Sequence, residues 1–234
     1  MEPGLSARNP RVQAVARLHR AQERKATRLT LLEGPHLIAE AIAAGHFLSE
    51  VFVLEGEVGY PEGTVISPAA LARLSSTQSP QSPVAVLPIP DQSLAPDRSL
   101  LVAWQISDPG NLGAMIRTAA AFAMDVVVLG GADPWSPKTL RSAAGAHFHA
   151  SVVEVDDLSG VAATTVATVL HGGISPDQLP AGRLAILIGN EAHGLPLEVS
   201  ADLEVTITMP GGTESLNAAA AAAILCYEVA KRPR

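Results

Sequence analysis

The sequence has one cysteine, few aromatic residues and no long hydrophobic run, and each scarcity excludes a class of protein. With Cys226 as the single cysteine, neither an intramolecular disulfide nor a cysteine-rich metal site can form, and we expect no bound metal. No apolar run approaches the roughly 18–20 residues that a membrane span requires. The N-terminal residues also lack the apolar core of a signal peptide. We therefore expect a cytoplasmic protein.

The composition is that of a folded chain. Hydrophobic residues make up 47% of the sequence and charged residues 17%, a balance that predicts a globular fold rather than disorder. A length of 234 residues suits one large domain or two small ones and allows a substantial core.

Positive charge is concentrated at one end of an otherwise acidic chain. The net charge is −7, yet residues 1–28 contain seven Arg and Lys side chains against two Glu. Such asymmetry predicts contact between the basic segment and a polyanion. A solvated helical face explains the same charges equally well. The candidate polyanion contacts in this segment are Arg8, Arg11, Arg17 and Arg20.

The hydrophobic pattern divides the chain into two α/β segments. Residues 1–88 predict a strand, a helix opened by Pro35 and a second strand, at 29–32, 37–44 and 51–54 respectively. Residues 89–98 are rich in proline and polar side chains, which predicts a linker. Residues 99–234 alternate short apolar strands with helices, a pattern typical of a parallel sheet covered by helices.

Parallel sheets of this kind bind ligands beyond the carboxyl ends of their strands. Glycine-bearing loops follow three of the predicted strands, at 129–134, 188–196 and 207–217. A dinucleotide fingerprint is absent, because Asp108 stands where G-x-G-x-x-G needs its first glycine. The sequence also contains neither a P-loop nor a G-x-S-x-G elbow. These absences argue against a nicotinamide oxidoreductase, a P-loop hydrolase and an α/β-hydrolase.

Three separated motifs remain, and together they resemble one family. They are N-L-G-A-M-I-R at 111–117, I-G-N-E-A-H-G-L at 188–195 and I-T-M-P-G-G-T-E-S-L-N at 207–217. In this order they resemble the SpoU (TrmH) family of S-adenosylmethionine-dependent RNA 2′-O-ribose methyltransferases, of the SPOUT class. The resemblance implies a parallel-sheet catalytic domain at 99–234 with a C-terminal trefoil knot. It also implies a homodimer with the active site near the subunit interface.

The earlier segment L-L-E-G-P-H-L-I-A-E-A-I-A-A-G, residues 31–45, is similar to the small ribosomal-protein-like α/β domain that many members carry. The resemblance therefore implies that residues 1–88 form an RNA substrate-binding domain. Because this domain precedes the catalytic one, we expect ribosomal RNA as the substrate. The alternatives are a tRNA ribose methyltransferase and a non-catalytic RNA-binding member of the same fold.

The resemblance assigns the S-adenosylmethionine contacts residue by residue. Gly189 matches the cofactor-contacting glycine, while Ile207 and Leu216 match the residues that frame the adenine. Glycine lets backbone amides approach a ligand, and aliphatic side chains cover its apolar faces. Ordinary core packing would also explain the two aliphatic residues. The expected cofactor-binding set is Gly130, Gly131, Gly189, Ile207, Met209 and Leu216.

The resemblance also implies a catalytic set: Asn111, Arg117, Glu191, Ser215 and Asn217. A ribose 2′-hydroxyl attacking a sulfonium methyl needs no metal, so orientation and stabilisation of the developing oxyanion supply the rate. The pKa of arginine is about 12 or higher, so its side chain stays protonated and cannot readily act as a base. We therefore assign Arg117 as a phosphate clamp and oxyanion stabiliser. Glu191 would fix Arg117 or Asn111 by hydrogen bonds, or alternatively cap a helix.

Further RNA contacts are expected from Lys138 and Arg141, at the start of a predicted helix. Aromatic residues make up 3% of the chain, so stacking of bases on aromatic rings is scarce. Recognition is therefore expected to depend on the RNA backbone, the 2′-hydroxyls and the RNA shape.

Overall fold

The computed structural model describes residues 4–57 and 59–232, which divide into two compact units. The first unit runs up to Asp91 and includes Trp135–Phe148, and the second comprises Gln92–Pro134 and the chain from His149 onward. The step from Asp91 to Gln92 falls inside the predicted linker. The predicted outer limits, residues 1 and 234, lie outside the described residues. Within the described ranges, no helix is long and apolar enough to cross a membrane.

The first unit has a mixed four-stranded sheet in the order β1-β4-β2-β3. β4 pairs antiparallel with both β1 and β2, and β2 pairs parallel with β3. The strands are β1 Leu29–Glu33, β2 Glu50–Leu54, β3 Thr64–Ile66 and β4 Val84–Pro88. The helices are α1 Pro10–Ala16, α2 Ala21–Thr27, α3 Pro35–Ala43 and α4 Pro68–Leu74, with α6 Pro137–Ala143 added from the later segment. Short 3-10 helices cover Arg17–His19 and Ala146–Phe148.

The elements predicted for this unit are confirmed to within two residues at each end. β1 and β2 each extend one residue beyond the predicted strands. The helix predicted from residue 37 begins at Pro35, because proline suits the first helical position, where no N–H partner is needed. Gly34 precedes it with a φ of 90°, which favours glycine.

Residues 135–148 differ from the prediction, which placed them in the C-terminal domain. The Thr30 hydroxyl donates a 2.6 Å hydrogen bond to the Trp135 carbonyl. Trp135 and Leu140 are buried in one apolar cluster with side chains from β1, α3 and β4. The segment mixes polar and apolar residues as helices that cover a sheet commonly do, so its sequence does not reveal which sheet it covers. The structure assigns it to the first unit.

Arg141 is held inside the first unit by a buried carboxylate. Its Nη1 lies 3.1 Å from Glu33 Oε2, and the Glu33 side chain is only 4% exposed. The same guanidinium donates a 2.6 Å hydrogen bond to the Ser76 hydroxyl. Glu33 also accepts from the Ser75 and Ser76 hydroxyls and from the Ser76 N–H. Since its Nη1 contacts both Glu33 and Ser76, Arg141 anchors α6 to β1. Its predicted phosphate contact stays a prediction.

The second unit contains a six-stranded sheet in the order β10-β8-β9-β5-β6-β7. Every neighbouring pair is parallel, as predicted. The strands are β5 Leu100–Trp104, β6 Asp125–Leu129, β7 Val152–Glu154, β8 Thr164–Thr168, β9 Leu184–Ile188 and β10 Leu203–Val205. The helices are α5 Pro109–Ala121 and α7 Ala218–Ala230, with a 3-10 turn at Pro176–Gln178.

The strand order leads us to expect a ligand site close to β9, because the neighbouring strands β5 and β9 lead the chain in opposite directions. From β5 the chain continues to β6 on one side, whereas from β9 it continues to β10 on the other. Neighbouring parallel strands whose connections diverge leave an opening beyond their carboxyl ends. The loop after β9 and the start of α5 flank this opening.

Candidate functional site

A cavity of about 640 Å³ lies at the carboxyl ends of β8, β9 and β10, entirely within the second unit. It contains eight of the predicted site residues: Asn111, Gly189, Glu191, Ile207, Met209, Ser215, Leu216 and Asn217. The rest of its lining includes Thr168–Leu170, Asn190, Ala192–Gly194 and Glu214. All three motifs therefore contribute to one cavity.

Gly189 is required by the fold of its own loop. The N–H groups and carbonyls of Asn190 and Gly194 bond reciprocally, at 3.0 and 2.8 Å, and so close the loop. A Cβ at Gly189 would lie 2.3 Å from the Gly194 carbonyl carbon and 2.4 Å from the Leu195 nitrogen. Since no side chain fits there, the glycine keeps the backbone close along this wall of the cavity.

Three polar side chains, one from each motif, form a hydrogen-bonded chain. Asn217 Nδ2 donates to Asn111 Oδ1 at 2.9 Å, and Asn111 Nδ2 donates to Glu191 Oε1 at 3.0 Å. Asn111 lies in the first turn of α5, and Asn217 caps α7 by accepting from the N–H groups of Ala219 and Ala220. Both amides are thereby fixed in orientation, at the starts of two helices.

Glu191 is held as a carboxylate. Partial burial would raise the pKa of Glu191, but hydrogen bonds from the Asn111 side chain and from the N–H groups of Ser107, Glu191 itself and Asp108 outweigh it, so the pKa lies below its ordinary value. The bonds from Ser107 and Asp108 are 3.0 and 3.2 Å long. Of the two predicted partners of Glu191, the structure selects Asn111. The Asp108 side chain caps α5 by accepting from the Asn111 N–H at 2.9 Å.

The aliphatic side chains that line the cavity are accessible to solvent and are not packed in the hydrophobic core. Leu216 is 39% exposed, and Ile207 is half-buried. Two carboxylates, Glu191 and Glu214, belong to the lining, and none of its described residues is Lys or Arg. The cavity thus combines apolar walls with negative charge, which suits a ligand that has a flat apolar part and a positive centre.

Two polar residues of the site were missed by sequence reasoning. Asn190 Nδ2 donates to the Gln105 carbonyl at 2.7 Å and to the Ser107 hydroxyl at 2.9 Å, which ties the loop after β9 to the loop after β5. Its position in the second motif, between Gly189 and Glu191, is the sequence feature that indicates a role in the site. Thr168 ends β8, and its hydroxyl oxygen is buried without a hydrogen-bond partner in the described chain. A threonine at the end of a predicted strand carries no comparable signal.

Gly130 and Gly131 are not among the residues that line the cavity, contrary to expectation. They follow β6, which lies beyond β5 as seen from β9. A Cβ at Gly131 would lie 2.4 Å from the Ile106 carbonyl oxygen, which accepts a 2.8 Å hydrogen bond from the Ala132 N–H. Gly131 instead lets its own backbone approach that of Gln105 and Ile106 closely.

Arg117 also lies outside the cavity of its own chain. It is exposed on α5, six residues beyond Asn111, a spacing that turns a helix by about 240° and so points the two side chains to different faces. Arg117 makes no ion pair or side-chain hydrogen bond within residues 4–57 and 59–232. The predicted contact between Glu191 and Arg117 is therefore absent from the described chain.

The predicted basic contacts of the first unit are exposed but differ in their partners. Arg8, Arg11, Arg17 and Arg20 are all exposed, as is Lys138 on α6. Arg11 pairs with Glu50, and its guanidinium also lies 5.9 Å from the centre of the Phe52 ring. Arg17 pairs with Glu23 at 3.2 Å.

The chain matches two known families, one in each half. Residues 98–227 match the SpoU rRNA Methylase family, and residues 9–85 match the MRM3-like substrate binding domain. A relative from Bacillus subtilis, 23S rRNA (guanosine(2553)-2′-O)-methyltransferase RlmP, is 37% identical over 96% of this chain and 97% of its own.

Solved structures of similar proteins extend over both units. A crystal structure described as an RNA 2′-O ribose methyltransferase has a TM-score of 0.80 with 31% identity, over 96% of this chain and 97% of that one. The SpoU methyltransferase AviRb of Streptomyces viridochromogenes, solved in complex with AdoMet, has a TM-score of 0.86 with 25% identity, over 96% and 98%.

Proposed function

The chain belongs to the SpoU rRNA methylase family and is an RNA methyltransferase, and on that premise we propose that it methylates a ribose 2′-hydroxyl of ribosomal RNA. The observation that carries the proposal is the hydrogen-bonded chain Asn217–Asn111–Glu191. It joins the three motifs along the wall of a single cavity.

We propose that this cavity holds S-adenosylmethionine. Its volume of about 640 Å³ lies within the range of small-ligand sites. Ile207 and Leu216 would cover the adenine, the backbone at Gly189 would follow the ligand, and the buried Thr168 hydroxyl would gain a partner. The carboxylates of Glu191 and Glu214 favour a cationic ligand. When bound, S-adenosylmethionine supplies an electrophilic methyl group on a positive sulfur.

The residues at the cavity wall would then orient the ribose. Asn217 caps α7 and Asn111 lies in the first turn of α5, so the helix starts set their amide groups, and Ser215 lines the cavity two residues before Asn217. Glu191 holds the Asn111 amide, and both N–H groups before α5, in place. Such pre-set polar groups accelerate a reaction by orientation, with no reorganisation during the step. Glu191 is thus a positioning residue in this proposal.

Ribosomal RNA is the proposed substrate because the B. subtilis relative, named for 23S rRNA, shares both halves of the chain. The test incubates the purified protein with ribosomal RNA, with tRNA and with methyl-labelled S-adenosylmethionine, followed by nuclease digestion and mass spectrometry. We expect a 2′-O-methylnucleoside in the ribosomal RNA. Label confined to tRNA would instead identify a tRNA enzyme. Label in neither RNA would leave only the non-catalytic RNA-binding alternative.

We further propose a homodimer in which Arg117 of one subunit serves the cavity of the other. Arg117 is exposed and points away from its own cavity. On α7, which packs against α5, Ile224 and Tyr227 are 38% and 51% exposed. Apolar side chains on a helix beside the site are suited to burial against a second copy. The C-terminal trefoil knot is part of the same proposal and is supported by family membership.

Subunit mixing tests the placement of Arg117. Arg117→Ala and Gly189→Leu should each be inactive as homodimers, the first for want of the guanidinium and the second for want of the cavity. Co-expressed as mixed dimers, they should recover activity, because one site then has an intact cavity and an Arg117 from the other subunit. Mixed dimers that stay inactive would show that Arg117 acts within its own chain, and an active Arg117→Ala homodimer would show that Arg117 is not needed.

A further inference from the structure

The first unit has a small pocket whose charged lining is entirely basic. About 170 Å³ in volume, it is lined by Gln13, Ala16, Arg17, His19, Arg20 and Arg73. Arg17 and Arg20 stand at the two ends of a turn in which the Arg20 N–H donates to the Arg17 carbonyl at 2.9 Å. Arg73 comes from the last turn of α4, more than fifty positions later. The fold thus brings together side chains from two distant segments.

The arginines of this pocket differ in whether an acidic side chain neutralises them. Arg17 pairs with Glu23 at 3.2 Å. Arg20 and Arg73, both exposed, make no ion pair or side-chain hydrogen bond in the described part of the chain. Converging guanidinium groups repel each other and retain free N–H donors, which favours an anion that accepts several hydrogen bonds.

His19 adds a polar group without adding a like charge. Burial lowers the pKa of His19, and this outweighs the opposing effects of Glu33 and of the backbone at Leu74 and Arg73. The imidazole is therefore neutral at pH 7. Its Nε2 is buried and has no hydrogen-bond partner among the described residues. A neutral imidazole beside arginines suits an anion site, because it can donate a hydrogen bond to the anion without adding to the repulsion among the guanidinium groups.

We propose that this pocket, through Arg20 and Arg73 with His19 beside them, binds a backbone phosphate of the RNA substrate. The inference rests on the proposed function, because RNA supplies the phosphodiester. The proposal adds Arg73 on α4 to the RNA contacts that were expected from the basic N-terminal segment. A phosphate held here would position the RNA without reading its sequence.

The test compares Arg73→Ala with Lys25→Ala in the full-length protein. Lys25 is an exposed cation of the same unit, on α2 and outside the pocket lining. The probe is a single-stranded uridine homopolymer, with affinity measured over a range of salt concentrations. Arg73→Ala should weaken binding about fivefold or more, while Lys25→Ala stays within about twofold. The double variant Arg20→Ala/Arg73→Ala should lower the slope of log K against log salt by about 0.7, the value for one single-strand phosphate.

Equal effects of Arg73→Ala and Lys25→Ala would overturn the pocket, because the charge would then act without a defined site. An unchanged salt slope in the double variant would overturn it as well. Arg20→Ala alone provides a second variant if Arg73→Ala fails to fold, and S-adenosylmethionine binding should be unaffected in each. Methyl transfer by the wild-type protein is measured separately. If the wild-type protein transfers methyl groups but Arg73→Ala and Lys25→Ala bind RNA equally well, the pocket alone is refuted. If the wild-type protein transfers none while Arg73→Ala still weakens RNA binding more than Lys25→Ala, the proposed function alone is refuted.

Discussion

The side-chain amide of Asn217 donates a 2.9 Å hydrogen bond to the amide oxygen of Asn111, 106 positions earlier in the chain. One residue caps α7 and the other lies in the first turn of α5. The bond therefore aligns the beginnings of two helices. Through Asn111 it also reaches Glu191, on the loop after β9. The amide of Asn217 serves both as a helix cap and as part of the cavity wall.

Substitutions of Asn217 separate these two roles. Serine is as good an N-cap as asparagine, so Asn217→Ser should keep the unfolding free energy within about 0.5 kcal/mol. Its hydroxyl is too short to replace the amide bond to Asn111, so methyl transfer should fall about tenfold. Asn217→Ala should show the same activity loss and also cost about 1 kcal/mol in stability. Urea unfolding and initial rates measure the two effects. Full activity of Asn217→Ser would contradict the role assigned to the amide.

Gly189→Ala is expected to impair cofactor binding. Its Cβ would lie 2.3 Å from the Gly194 carbonyl carbon, so the loop after β9 must move. Such overpacking costs about 1–3 kcal/mol. If cofactor binding bears this cost, S-adenosylmethionine affinity falls about five- to 150-fold. Gly211→Ala is the matched control, because a Cβ at Gly211 has no atom within 4 Å. Calorimetric titration that finds equal affinities for the two variants would refute the steric role of Gly189.

Glu191 predicts a pH-dependent contribution to stability. Hydrogen bonds lower the pKa of Glu191 below its ordinary 4.5 in the folded protein. The unfolded chain therefore takes up this proton more readily, and the stabilisation is fully present above about pH 4.5 and disappears as pH falls through the folded pKa. The wild-type protein should exceed Glu191→Gln in stability near neutral pH, by less than about 1 kcal/mol because the group is largely exposed. A difference between the two that is the same at about pH 7 and about pH 3 would contradict this carboxylate role.

The arrangement of the cavity could be predicted to the extent that it follows from parallel strands. Because β8, β9 and β10 all end at one edge, loops far apart in sequence meet there. Gly189, Glu191 and Asn217 accordingly line one cavity. Gly130 shares that edge, but the strand order puts β5 between β6 and β9. Strand order is a tertiary property that local periodicity does not encode.

Other features depend on packing partners that the sequence does not identify. The pattern of 135–148 predicts a helix but cannot specify that it covers β1 rather than the parallel sheet. Arg141 at a helix start suggested a phosphate contact, and its sequence neighbourhood gives no sign of the ion pair with Glu33, more than a hundred positions away. Likewise Arg73 has no notable neighbours in sequence, and it becomes noteworthy only because α4 brings it beside Arg20.

Arg141→Ala should destabilise the first unit. It leaves the buried Glu33 carboxylate with only its serine donors, so the expected loss is about 2 kcal/mol in unfolding free energy. Adding Glu33→Gln should recover part of that loss, since the uncompensated charge is removed. Lys138→Ala, an exposed change on the same helix, should stay within about 0.5 kcal/mol. Thermal unfolding that ranks Arg141→Ala with Lys138→Ala would refute the anchoring role of Arg141.

Thr168→Val distinguishes a ligand-directed hydroxyl from a structural one. Valine has nearly the same shape, and the Thr168 hydroxyl oxygen is buried without a partner in the described chain. Removing an unsatisfied buried hydroxyl should leave the stability of the protein without cofactor unchanged or raise it by about 1 kcal/mol. The affinity for S-adenosylmethionine should instead fall about five- to tenfold, because the variant forgoes one hydrogen bond to the cofactor. Calorimetry of the variant with S-adenosylmethionine measures that loss. Thr164→Val, on the same strand but outside the cavity lining, controls for general effects on β8. Unchanged affinity combined with reduced stability would mean that the hydroxyl stabilises the fold and does not contact the cofactor.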